Sequence, residues 1–216
     1  MQWRCFRSTQ ARGARRATEG KERFLSEIDH LAVVGITLRG KDDYRPSDFC
    51  IDAPVDTFSP IYGPEGSGDI RDPAAPSWIK EAMGGAHLAT LCVADGGIDM
   101  TGMEDDQESK ILPLLAAQMA TSLACLCEGG SMIQKLYTVH RPMTGRLIHI
   151  LGSCFDEITL LKPLASRPSN SEQYLIARRR RADVAATARL LRAIAESLRI
   201  QKGWANPYEK MENVQA

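Results

Sequence analysis

The chain is poor in aromatic residues and has neither net charge nor a long apolar run. Phe, Trp and Tyr make up 6% of its 216 residues, and 27 basic residues balance 27 acidic ones. No stretch of about 18 or more apolar residues occurs, which excludes a membrane-spanning helix. A disulfide scaffold is excluded as well. The six cysteines (Cys5, Cys50, Cys92, Cys125, Cys127, Cys154) are scattered, mostly inside apolar segments, as reduced buried thiols are, and they predict an intracellular setting. The four histidines show no metal-ligand spacing, and Cys125-x-Cys127 points its thiols to different helix faces, so no zinc site is expected. A P-loop, a G-x-S-x-G elbow and a glycine-rich dinucleotide loop after a first strand are all missing from the sequence. What is present is an ordinary globular composition, 44% hydrophobic, with room for one core and its appendages or two very small domains.

The charge balance conceals an uneven distribution. Residues 1–23 carry seven basic residues against Glu19 and Glu22, and residues 178–202 carry eight against Asp183 and Glu196. The segment between is acidic. Two basic ends on an acidic body point toward a polyanionic partner, because arginine and lysine supply affinity for phosphate.

Three regions follow from the patterning. Residues 1–23 have no hydrophobic period and read as a basic disordered arm; arginine-rich and acid-poor at its start, it also has the composition of a transit peptide. Residues 24–180 alternate in the manner of an α/β domain. Buried strands are predicted at 31–38 and 88–94, and further strands at 131–136, 157–161 and 174–177. Helices are predicted at 78–83, at roughly 105–127 with Pro113 inside it and Gly129-Gly130 as its stop, and at 145–151. The end of a further helix is expected over 24–30. Residues 40–76, rich in Pro, Gly and Asp, allow at most short strands. Residues 181–216 form a basic helix and tail, with Val184, Thr187, Leu191, Ile194 and Leu198 as a stripe that packs on the body or on a partner.

Active sites of open α/β sheets lie at the carboxyl ends of the strands. Asp95 follows the run LCVA, Lys135 closes SMIQ, and Glu172 precedes the strand QYLIA. Each position alone suits a structural charge. Three such positions together are harder to assign to structure alone.

At these positions the sequence resembles the RrmJ/FtsJ-type ribose 2′-O-methyltransferases, and among them the cap-specific mRNA branch. The likeness is carried by GITLRGKDDYRPSDF (35–49), YGPEGSGDI (62–70), VADGGIDMTGMEDDQE (93–108), GGSMIQKLYTVHRP (129–142) and FDEITLLKPLASRPSNSEQY (155–174). The Asp95-Gly96-Gly97 run points to the cap branch rather than to ribosomal RNA relatives, whose enzymes are the alternative, as is a non-catalytic RNA-binding remnant. The resemblance implies a Rossmann-like sheet with helices on both faces and S-adenosylmethionine as methyl donor. It implies capped mRNA as partner, with a nuclear location, or a cytoplasmic one as the alternative. Asp95, Lys135 and Glu172 match three members of the family's Lys-Asp-Lys-Glu tetrad, with Lys135 as general base. Asp69 and Ile70 match the pair that borders the donor. Asp105, Asp106, Gln107 and Asn170 match substrate-contacting positions, although asparagine is usual where Asp105 stands. The run Arg178, Arg179, Arg180 and Arg181, placed after the last strand, would lie beside an RNA backbone.

The family's central first strand, its Pro-Gly-Gly-Phe-like donor loop and the first tetrad lysine belong before residue 30, where no matching motif stands. The expectation is an incomplete methyltransferase domain, with a gap or a substitute strand beside residues 31–38.

Overall fold

A computed structural model of the chain describes residues 2–8, 31–40, 43–44, 58–85, 89–98, 107–164 and 171–201. Their elements are, in chain order, β1 (Gln2–Ser8), β2 (Leu31–Thr37), β3 (Phe58–Ile61), α1 (Ala75–Ala82), β4 (Ala89–Ala94), α2 (Gln107–Cys125), β5 (Leu126–Leu136), α3 (Pro142–Gly152), β6 (Phe155–Leu161), β7 (Gln173–Arg180) and α4 (Ala185–Gln201). The strands form one seven-stranded sheet in the order β3-β2-β1-β4-β5-β7-β6. Parallel pairing joins β2 to β3 and β4 to β5. Antiparallel pairing joins β1 to β2 and β4, and β7 to β5 and β6.

The predicted strands therefore stand where the apolar runs put them, and the central position beside β2 is filled by a substitute. That substitute is β1, whose residues Gln2 to Ser8 pair with Thr37 to Leu31 and whose other edge pairs with β4. It corrects the reading of residues 1–23 as a disordered arm for this stretch; residues 9–23, and the helix end expected over 24–30, lie outside the described residues. The physical reason is backbone pairing. Two central strands with unpaired edges recruit a segment by its N–H and C=O groups, whatever its side-chain period.

The core lies on one face of the sheet. α2 packs on β1, β4 and β5, and α1, α3 and α4 each pack against α2. Cys92 and Ala94 of β4, Met132 and Leu136 of β5, and Leu175 and Ala177 of β7 point into this core and are buried. Leu191, buried, with Ile194 and Leu198 packed against the core, brings the predicted stripe of α4 onto the body. α2 is buried nearly all round, as expected of a helix apolar on every side, and it passes through Pro113 without ending. It stops at Cys125, before the predicted glycine stop, and Gly129-Gly130 falls inside β5. There the register jumps from Ala89–Leu126 to Leu91–Ser131, leaving the glycines in a bulge. Cys92, Cys125, Cys127 and Cys154 are free, and burial pushes the Cys125 thiol up to about 12.

One buried carboxylate fixes the geometry beyond β5. Glu108, in the first turn of α2, is 5% exposed. It accepts hydrogen bonds from Thr138 Oγ1 (3.2 Å), His140 N (3.1 Å), Arg141 N (2.7 Å) and Thr144 Oγ1 (2.5 Å). The donors are the segment between β5 and α3 and the first turn of α3, so Glu108 also satisfies a helix start that lacks a side-chain cap of its own. Burial opposes its charge, but the hydrogen bonds outweigh burial and hold the carboxyl below the ordinary glutamate value of 4.5.

Two stability predictions follow. Cys5→Pro removes a donor from the middle of the sheet and should lower stability by about 3 kcal/mol or more, read from the urea midpoint. Glu108→Gln should cost about 3 kcal/mol at neutral pH. Because the folded pKa of Glu108 is depressed, its contribution is fully present above about 4.5 and is lost as pH falls through the folded value. The gap between wild type and Glu108→Gln should therefore narrow in acid; a gap constant from pH 7 to pH 3 would refute this assignment.

Candidate active site

The register of the sheet assembles the lysine cluster. Ala94 pairs with Gln134, so Asp95, one residue on, arrives beside Lys135. Gln173 pairs with Leu136 in the antiparallel β5–β7 ladder, so Glu172, one residue earlier, reaches the same rim from the other side. Lys135 Nζ lies 3.0 Å from Asp95 Oδ1 and 3.7 Å from Glu172 Oε1. The lysine side chain is 11% exposed, while Asp95 and Glu172 are 49% and 32% exposed. The cation is thus sunk between two carboxylates that face solvent.

Tyr137 completes the cluster. Its ring centroid is 5.8 Å from Lys135 Nζ, and its backbone carbonyl accepts from Gln173 Nε2 at 2.8 Å. The sequence reading missed this residue, although strand period places positions 135 and 137 on one face. Gly97 makes room for it. A Cβ there would lie 2.8 Å from the Tyr137 hydroxyl and 3.6 Å from Lys135 Nζ.

Burial alone would pull the Lys135 pKa down, but Tyr137, Asp95 and Glu172 outweigh it and the net shift is upward. The tyrosine contributes only once ionised, and burial pushes its phenol upward, so at neutral pH the two carboxylates hold the ammonium charged. In this arrangement Lys135 is a hydrogen-bond donor. To serve as a base it would need a further positive charge nearby.

The other predicted residues divide. Gln107 begins α2 at this rim, and its Oε1 accepts from Ser171 Oγ at 3.4 Å, beside Glu172. Asp105, Asp106 and Asn170 lie outside the described residues. Asp69 is held by Arg71, whose Nε is 2.9 Å from Oδ1 and whose Nη2 is 2.6 Å from Oδ2, with the Arg71 backbone N–H adding a bond at 2.9 Å. Ile70 is a core residue. Its carbonyl accepts from Arg192 Nη1 at 3.2 Å, which ties this loop to α4.

The arginine run is a correction. Arg178 to Arg180 belong to β7 and do not follow it. Lys135 pairs with Tyr174, so Arg178 lies four residues, about 13 Å, along the strand toward the opposite rim. Arg180 is buried and bonds the carbonyls of Cys127, Arg181 and Ala182. Arg178 pairs with Glu157 at 3.8 Å, Arg179 with Asp156 at 3.4 Å, and Arg181 with Asp156 at 3.2 Å. Acids on β6 attract these arginines, and neither acid nor arginine is near the lysine cluster. Among the described residues no group of His, Cys, Asp and Glu could hold a metal ion, and no helix is long and apolar enough to cross a membrane.

Comparison with known proteins adds the following. The FtsJ-like methyltransferase family matches residues 22–180. The cap-specific mRNA (nucleoside-2′-O-)-methyltransferase 1 of Danio rerio is 35% identical over 154 residues, which are 68% of this chain and 18% of that protein. The cap-specific mRNA (nucleoside-2′-O-)-methyltransferase 1A of Caenorhabditis briggsae is 36% identical over 145 residues, 65% of this chain and 16% of that protein. A solved ribosomal RNA methyltransferase from Plasmodium falciparum superposes with a TM-score of 0.46 at 18% identity, over 60% of this chain and 68% of that one. The chain spans less than a fifth of the length of the two curated relatives.

The electrostatics of the cluster can be tested directly. Asp95→Asn should lower the Lys135 pKa, and Glu172→Gln should lower it less, because the nearer carboxylate holds the charge more strongly. An NMR titration of the lysine ammonium reads both. Equal pKa values in wild type and Asp95→Asn would dissolve the cluster as described.

Proposed function

Because the chain belongs to the FtsJ-like methyltransferase family, we propose that its lysine–carboxylate cluster is the ribose-binding part of an RNA 2′-O-methyltransferase site, directed at a cap-proximal nucleotide of mRNA. The observation that carries this reading is the Lys135 ammonium held between Asp95 and Glu172 at the strand-end rim. A ribose hydroxyl is a weak nucleophile at neutral pH, and transfer of a methyl requires its oxygen to be aligned with the donor carbon. A sunken ammonium donates a hydrogen bond to that oxygen and fixes its position. Asp95 and Glu172 fix the ammonium in turn. The 2′-hydroxyl also distinguishes RNA from DNA, so the group that is aligned is the group that is selected. Capped mRNA as substrate implies a nuclear site of action, and the cap-specific names of the relatives support it.

The donor is the weaker half of the site. S-adenosylmethionine supplies a methyl on a positively charged sulfonium. The residues expected to border it do not fit it here: the Asp69 carboxylate is taken up by Arg71, and Ile70 is in the core. The orientation of β1 adds to this. Its start pairs with the ends of β2 and β4 (Gln2 with Thr37, Trp3 with Ala94), so β1 runs antiparallel to both and ends, at Ser8, at the rim opposite the lysine. These observations favour a second reading, in which this chain binds capped RNA without holding the donor. RNA contact by Arg178, Arg179 and Arg181 has less support, since these side chains pair with β6 at the far rim.

Calorimetry of the 216-residue chain with S-adenosylmethionine alone should show no binding, and incubation with donor and capped RNA should yield no 2′-O-methyl product. Capped RNA alone should bind, about 10-fold more weakly after Lys135→Ala. Donor binding together with a methylated product that vanishes in Lys135→Ala would overturn the second reading in favour of a complete transferase. Capped RNA that binds wild type and Lys135→Ala equally would overturn both.

A further inference from the structure

Behind the lysine cluster, on the helix side of the sheet, lies a pair of buried amides that the proposed chemistry does not use. Gln134 precedes Lys135 and faces the opposite side of β5; it is 1% exposed, as is Gln118 in the middle of α2. Gln134 Nε2 donates to Gln118 Oε1 at 2.9 Å and to the Lys135 carbonyl at 3.0 Å, and it reaches the Ala94 carbonyl at 3.5 Å. One amide thus joins α2 to the backbone of Lys135 and to the residue just before Asp95. The pair also leaves Gln118 Nε2 and Gln134 Oε1 without a hydrogen-bond partner among the described residues. Gly96 closes the arrangement, since a Cβ there would lie 2.0 Å from Gln118 Nε2.

Two apolar side chains of similar volume would fill this space without the orphaned Gln118 Nε2 and Gln134 Oε1, at the cost of the bonds to the Lys135 and Ala94 carbonyls, and exchanging both partners of the amide–amide bond is often neutral or stabilising. The amides are therefore a costly solution for stability alone. Their bonds go to the two backbone positions that determine how far Asp95 stands from Lys135.

We infer that Gln134 and Gln118, with Gly96, are positioning residues that lock the carboxyl ends of β4 and β5 at the spacing that holds Asp95 on the Lys135 ammonium. The inference rests on the reading of Lys135 as the group that meets the ribose. Its test reads geometry and requires no methyl transfer, so an inactive chain leaves it intact. In the 216-residue chain, the double substitution Gln118→Met/Gln134→Met retains volume and removes every bond of the pair. It should remain folded with a cooperative urea transition, while the Lys135 pKa, followed by NMR of the ammonium, should fall toward the value in Asp95→Asn. Gly96→Ala, which keeps both glutamines but displaces the Gln118 amide, should shift the lysine in the same direction. An unchanged lysine titration in a folded double variant overturns the inference. So does a double variant that fails to fold, because the pair would then serve stability.

Discussion

The Glu108 carboxylate is the contact on which the geometry of the rim depends. It joins the start of α2 to the segment leaving β5 and to the first turn of α3. Lys135 and Tyr137 lie at the end of the strand that feeds this segment. Gln107, next to Glu108, touches Ser171 beside Glu172. The lysine, the tyrosine and the second carboxylate are thus referred to one buried charge. Such a charge is tolerable only when its hydrogen bonds are complete, so the first turn of α2 cannot shift without leaving donors unpaired.

The cluster itself is a balance between burial and charge. Burial disfavours the ammonium, and two carboxylates restore it, so the site holds a proton firmly while keeping the lysine in place. That state suits binding and orientation of a hydroxyl oxygen. Removal of a proton would require another cation to reverse the balance, and among the described residues no cation bears on the lysine that way.

The sheet separates its charges by rim. Parallel strands β4 and β5 deliver Asp95 and Lys135 to one rim, and β7, running the other way, begins there with Glu172 and ends at the opposite rim among its arginines. Those arginines meet Asp156 and Glu157 on β6, the strand at the end of the sheet, where charged side chains also discourage pairing with another chain. The same strand therefore serves the site with one end and secures an edge with the other.

The sequence by itself determined β2, β4, β5, β6 and β7, because runs such as LAVVGIT and ATLCVA are apolar enough to be buried whatever they pair with, whereas β3 falls in a stretch rich in Pro, Gly and Asp that marked no particular strand. It also determined α2, by its length and apolar spacing, and nominated Asp95, Lys135 and Glu172, since charges next to buried strands stand at an end of the sheet. Only the tertiary structure decided β1, because a vacancy between two central strands is filled by backbone hydrogen bonds that leave no mark in side-chain pattern. It likewise decided that Glu172 meets Lys135, which follows from the antiparallel direction of β7, and that Arg178 to Arg181 stand away from it for the same reason. Asp69 was marked by resemblance as bordering the donor, and only the fold turned Arg71 back upon it; Gln118 and Gln134, 16 positions apart, became a pair only when α2 was laid across β5. Local sequence fixes period and burial, whereas strand direction and the partner of each buried polar group depend on segments far apart in the chain.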